Sequence, residues 1–154
     1  MARFLALATL VILSLIVEPV LSEEVAIPKL PKGAGKVDAD APKDFTKTGS
    51  GLKYRVLRKG EGAKPTADKT VRVHYHGWLD DKTVFDSSYN RGEDISFPLN
   101  RVIKGWTEGM QLVGVGGMIE LEIPAELGYG AAGAGNVIPG NATLHFLVEL
   151  KEIK

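Results

Sequence analysis

The chain contains no cysteine. Disulfide staples, thiol catalysis and cysteine-ligated zinc are excluded together, and the fold depends on its hydrophobic core. An excess of either charge is lacking too, since 19 basic side chains face 19 acidic ones. A balanced chain without a basic cluster offers no long-range attraction for nucleic acid or an anionic membrane. No recognisable nucleophile array occurs. Aromatic residues make up only 7% of the chain, so the places where they gather are informative. Trp106 stands beside a glycine turn in Val102-Ile103-Lys104-Gly105-Trp106, with Tyr75 and Phe85-Asp86-Ser87-Ser88 upstream. Such a cluster points to chemistry done by a shaped apolar pocket.

Long apolar runs are confined to the first 22 residues. Arg3 gives a positive start, and Phe4 to Val17 is interrupted only by Thr9 and Ser14. Val20 and Ser22 fit a cleavage site, so residues 1–22 read as a signal peptide. The run is shorter than the roughly 20 residues a membrane span needs, and Pro19 closes it. The mature protein is expected in the secretory pathway, secreted, periplasmic or lumenal, with no stable membrane span after cleavage. Residues 23–45 carry Pro28, Pro31, Gly33, Gly35 and Pro42, with few large apolar residues beyond Ile27 and Leu30. This stretch reads as a flexible linker, since it has little surface to bury against the entropy of ordering. Residues 46–154 remain as one domain, long enough to build its own core.

Past Phe45 the period becomes two. Leu52, Tyr54 and Val56 alternate with Lys53, Arg55 and Leu57, and Val71, Val73 and Tyr75 alternate with Arg72, His74 and His76. Met118 to Ile123 and Thr143 to Ile153 repeat the pattern of half-buried antiparallel strands. Only Val102 to about Leu112 has helical spacing, with Ile103, Trp106, Met110 and Val113 recurring at three or four residues. Gly105 and Gly109 make it a poor helix in isolation, so it needs a sheet to pack on. The fold class expected is α+β, a single antiparallel β-sheet wrapped around one short α-helix.

Five short words then occur in order: Val73-His74-Tyr75-His76-Gly77, Val84-Phe85-Asp86-Ser87-Ser88, Val102-Ile103-Lys104-Gly105-Trp106, Gly128-Tyr129-Gly130, and Ile138-Pro139 followed by Ala142-Thr143-Leu144 and Phe146. Together they resemble the FKBP family of peptidylprolyl cis-trans isomerases over about Phe45 to Lys154. The leader and Phe97-Pro98-Leu99-Asn100 look most like its macrophage infectivity potentiator subgroup. The resemblance implies an FKBP-like fold, proline-containing polypeptides as partners, assistance to the folding of secreted proteins, and no cofactor. It also implies tacrolimus or rapamycin as inhibitors. By the same resemblance Trp106 forms the pocket floor, with Tyr75, Phe85, Val102, Ile103 and Phe146 as walls. Ile103 would offer its backbone amide to a substrate carbonyl. Tyr129 would donate its hydroxyl at the rim, and Asp86 would sit near the twisting carbonyl, held by Tyr75. An aspartate beside an apolar pocket needs such a hydrogen-bonding partner. Ile95 stands where many family members carry a pocket aromatic, which weighs against tight macrolide binding. Val137 and Ile138 take the rim positions after an alanine-rich flap.

Three rival signals carry less. Gly128-Tyr129-Gly130-Ala131-Ala132-Gly133 matches the spacing of a dinucleotide loop, but that loop works only between a strand and a helix. Ala134 to Gly140 cannot start a useful helix, so the tract reads as a flexible flap beside the pocket. His74, His76 and His145 fall out of phase with the inward residues of their strands, and solvated strand histidines are expected instead of a metal site. Asn141-Ala142-Thr143 is a formal N-glycosylation acceptor, meaningful only in a eukaryotic source.

Overall fold

The computed structural model describes residues 25–154. The proposed leader, residues 1–22, lies outside them. Seven strands form one sheet among the described residues: β1 (Thr46–Lys47), β2 (Lys53–Arg58), β3 (Thr70–Trp78), β4 (Val84–Ser87), β5 (Ile95–Pro98), β6 (Met118–Ile123) and β7 (Leu144–Ile153). Their order is β1-β2-β6-β7-β3-β4, with β5 also on β3, and every pairing is antiparallel. Nine-residue β3 is the hub. Its alternation sends Val71, Val73 and Tyr75 to one face, opposite Val148 and Phe146 of β7 in the register Tyr75↔Val148 and Gly77↔Phe146.

Two short α-helices accompany the sheet among the described residues: α1 (Ser88–Arg91) and α2 (Lys104–Gly109), the latter continued by a 3₁₀ turn, Met110–Leu112. The four residues of α1 were not foreseen, because a single turn is too short to carry a 3.6-residue period. Trp106, Met110 and Val113 from the α2 region share a buried cluster with Leu121, Ile123, Leu144, Val148 and Leu150 of the sheet. The two glycines of α2 follow from this packing. A Cβ at Gly105 would lie 2.5 Å from Ile123 Cγ2, and one at Gly109 would lie 2.7 Å from Leu121 Cδ2. Close approach to β6 is gained by forgoing about 0.5–1 kcal/mol of helix propensity at each position.

Residues 25–45, the stretch that composition marks as a linker, belong to the described part of the chain. They run without helix or strand across the other face of the sheet as a docked strap. Ile27, Leu30, Ala34, Val37 and Ala41 pack against Leu57, Trp78, Met118 and Leu147. Arg55 of β2, 1% exposed, donates to the carbonyls of Val25, Ala26 and Lys43 at 2.7, 2.9 and 2.6 Å and to Glu120 Oε2 at 2.6 Å. Its guanidinium also lies 4.5 Å from the centre of the Phe45 ring. The strap's own apolar residues are few, and the sheet's outer face supplies the rest. A proline-rich segment with only two backbone turns of its own, Ala34 N–H to Pro31 O and Ala41 N–H to Asp38 O, is held because a buried arginine satisfies three further carbonyls.

Candidate active site

A cavity of about 880 Å³ opens where α2, β3 and the loop before β7 meet. Tyr75, Phe85, Asp86, Ile95, Val102, Ile103, Trp106, Tyr129, Val137, Ile138 and Phe146 all line it. The strand period places Tyr75 inward, and Gly77, two residues on, leaves space beside it. A Cβ there would meet Phe85 Cζ at 2.7 Å and Phe146 Cε1 at 2.8 Å. The bare backbone at Gly77 therefore admits the Phe85–Phe146 pair, whose rings meet edge to face at 5.3 Å.

Trp106 is 4% exposed and stands at the base of this wall. Tyr75, Phe97 and Phe146 meet its ring edge to face at 5.4, 5.5 and 5.3 Å. That geometry suits the quadrupoles of aromatic rings and fixes them as rigid apolar walls. Its indole N–H is buried with no hydrogen-bond partner among the described residues. Ile103 takes the N-cap position of α2, where the leading backbone amides have no acceptor within the helix. Its carbonyl receives Trp106 N–H at 3.0 Å and so ties the pocket wall to the floor.

The mouth is polar on one side. The Tyr75 hydroxyl donates to Asp86 Oδ2, and Arg91 Nη1 donates to Asp86 Oδ1. Arg91 Nη2 closes the triangle by donating to the Tyr75 hydroxyl at 3.0 Å. Burial pushes the Asp86 carboxyl up, but the Tyr75 hydroxyl and the Arg91 cation outweigh it and hold the group below the usual carboxylate range. Burial, with Asp86 adding to it, pushes the Tyr75 phenol up. At neutral pH the pair is a carboxylate facing a phenol, a fixed dipole and not a proton-transfer couple.

Four lining residues escaped the sequence reading: Arg91, Phe97, Arg101 and Ala134. Phe97 was legible, since Ile95 and Phe97 share one face of β5 by strand alternation. It supplies an aromatic on the Ile95 wall, while Ile95 itself is 38% exposed at the rim. Arg91 carried a weaker signal, a cation five residues after an aspartate whose site requires a counter-charge.

Tyr129 and Val137 are exposed at the cavity rim, whereas Ile138 is 8% exposed and belongs to the core. The flap between them is a folded loop. Ala134 and Ile138 form an isolated bridge, and Asn141 N–H donates to Gly130 O at 2.8 Å. Gly133 has φ 65°, and a Cβ there would fall 2.2 Å from Ile138 O. The glycine tract serves loop closure and leads to antiparallel β7, not to a helix.

The histidines lie on the strap side of the sheet, each partly buried and engaged by a neighbour. His74 stacks on Tyr89 at 4.7 Å and places Nδ1 2.9 Å from Ser88 Oγ. His76 Nδ1 is 2.9 Å from Ser87 Oγ, and burial lowers its pKa. His145 stacks on Trp78 and reaches Asp80 Oδ1 at 2.7 Å. Each ring is engaged singly, and no group of three or more metal-ligating side chains gathers among the described residues. No helix among those residues is long and apolar enough to cross a membrane.

Comparison with known proteins bears on this geometry. The profile of the FKBP-type peptidyl-prolyl cis-trans isomerases matches residues 61–151. The FKBP-type isomerase FkpA of Aeromonas hydrophila is 51% identical over 130 residues, covering 84% of this chain and 48% of that protein. The peptidyl-prolyl cis-trans isomerase Mip of Coxiella burnetii is 46% identical over 105 residues, covering 68% and 46%. The crystal structure of FkpA from Escherichia coli superposes with a TM-score of 0.70 at 48% identity, covering 71% of this chain and 51% of that one. The chain spans about half the length of these relatives.

Proposed function

The chain belongs to the FKBP-type peptidyl-prolyl cis-trans isomerase family, and from that premise we propose that it accelerates rotation about X-Pro bonds in proline-containing polypeptides. The observation that carries the reading is an aromatic cavity floored by Trp106 with the Tyr75–Asp86–Arg91 triangle at its mouth. Rotation faces a barrier of about 18–20 kcal/mol because twisting destroys amide resonance. The twisted amide has a less polar nitrogen and a carbonyl turned out of plane. A dry apolar pocket that holds the proline ring favours this state over the planar one, which is differential binding of the transition state. No covalent bond or proton transfer is required.

In this scheme Trp106 underlies the ring, while Val102, Phe146, Phe85 and Phe97 exclude water. The amide of Ile103 and the hydroxyl of Tyr129 donate to substrate carbonyls. Asp86, held ionised by Tyr75 and Arg91, faces the displaced carbonyl carbon. Ile95 and Val137 shape the rim and hence the residues accepted beside proline, and Ile138 backs them from the core. Tacrolimus or rapamycin would compete for the same cavity. The apolar run Phe4 to Val17 supports export and a role in folding secreted proteins, with cleavage after Ser22. A protease-coupled or NMR exchange assay on a short X-Pro peptide tests the activity. Absence of any acceleration over the uncatalysed rate would refute it.

A further inference from the structure

Glu149 of β7 is 1% exposed, faces away from the cavity, and has no part in the scheme above. A buried carboxylate persists only when it is paired and hydrogen-bonded. Three parts of the chain supply the partners. From the strap, Gly35 N–H donates to Oε1 at 3.1 Å. From α1, the Tyr89 hydroxyl donates to the same oxygen at 2.5 Å. From β2, Arg58 Nη2 donates to Oε2, while its Nη1 donates to the strap carbonyl of Lys36 at 2.8 Å. Lys151 Nζ lies 3.9 Å from Oε2, and His74 is the cross-strand neighbour.

Tyr89 connects this knot to the cavity mouth. Its ring is stacked on His74, and a Cβ at Gly33 of the strap would lie 3.9 Å from its Cδ1. It belongs to α1, whose last residue is Arg91, the donor to both Asp86 and Tyr75. One turn of four residues has too few internal hydrogen bonds to fix its own orientation. Side-chain anchors must do so: Ser88 Oγ accepts from Tyr75 N–H at 2.8 Å, and Tyr89 reaches Glu149.

We propose that Glu149 and Tyr89 are positioning residues, through which the docked strap holds α1 so that Arg91 stays on Asp86 and Tyr75. The kinetic consequence rests on the isomerase reading, but the geometric one does not. The groups facing Asp86 are Tyr75 and Arg91; those facing Glu149 are Arg58, Tyr89, His74 and Lys151. Loosening α1 removes the Arg91 cation from Asp86, so the Asp86 carboxyl should titrate at higher pH.

The test uses the full chain with Tyr89→Phe, which keeps the ring on His74, and Gly35→Ala, whose Cβ would fall 2.2 Å from Arg58 Nη1. Asp86 is titrated by carboxyl ¹³C NMR, and kcat and KM are measured on an X-Pro peptide. Both variants should shift the Asp86 titration upward and lower kcat about three- to tenfold with KM little changed, the scale expected of a small misplacement of a catalytic group. Lys53→Ala, in a surface ion pair with Glu122, should do neither. A loss of thermal stability with Asp86 titration and kcat both unchanged would overturn the proposal. Tyr89→Phe keeps the test decisive should Gly35→Ala not fold. A wild-type chain without activity would sink the isomerase reading alone, and the Asp86 titration would still decide this one.

Discussion

Asp86→Ala removes the acceptor shared by Tyr75 and Arg91 and leaves the buried cluster around α2 untouched. Turnover on an X-Pro peptide should fall about ten- to a hundredfold, as for loss of an oriented polar group, with the circular dichroism spectrum unchanged. Phe85→Ala should lower turnover in the same assay, because it opens the wall that faces Phe146. Trp106→Leu should weaken tacrolimus or rapamycin binding more than it slows turnover, and unchanged affinity by calorimetry would contradict its place as the floor. The pH response has a definite sign. Asp86 and Glu149 both have carboxyls held below the ordinary range in the folded state, against the upward push of burial, by Tyr75 and Arg91 for one and by Arg58 and Tyr89 for the other. Their contribution is present above the unfolded value of about 4 and is lost as pH falls through the lowered folded values. Stability followed by denaturant titration should therefore decline only below about pH 4 on their account. The apolar side of the site was legible because pocket aromatics sit at fixed offsets on strands and on α2. Arg91 was only weakly marked, because of its two partners Asp86 alone is near in sequence and Tyr75 is brought to it by the folded sheet.

At the scale of elements, α2 and the strap depend on the sheet in opposite ways. Gly105→Ala would raise helix propensity, yet its methyl would meet Ile123 at 2.5 Å. The expected outcome is a net loss of about 1–3 kcal/mol in urea unfolding, the usual cost of overpacking. Arg55→Ala leaves Glu120 buried without its cation and three strap carbonyls without their donor. A loss of about 3–5 kcal/mol is expected, as for breaking any buried ion pair. Burial already pushes the Glu120 carboxyl up, so protonation should relieve part of that loss as pH is lowered. Period-two alternation revealed β2, β3, β6 and β7, and helical spacing revealed α2. The strap was hidden because its apolar residues are sparse and have no period. Its binding face was misread for a related reason, since Arg55 and the histidines look like solvent-facing residues until a second layer covers them.

For the whole molecule, one sheet carries two layers with separate duties. One face packs α2 and opens the cavity, and the other fastens residues 25–45 over Leu57, Trp78, Met118 and Leu147. The family could be recognised from five short words in order, because they supply the walls and mouth of a single cavity. The outer layer lies mostly before those words and had no such signature. In the proposed scheme, function rests on the cavity's rigid apolar walls more than on any one titrating group. The most direct test of that claim is the rate of cis-trans exchange in a short X-Pro peptide, measured by NMR with and without the full chain. The uncatalysed bond isomerises over tens to hundreds of seconds. Catalytic amounts of the chain should shorten this severalfold or more, and an exchange rate equal to that of the peptide alone would contradict the account.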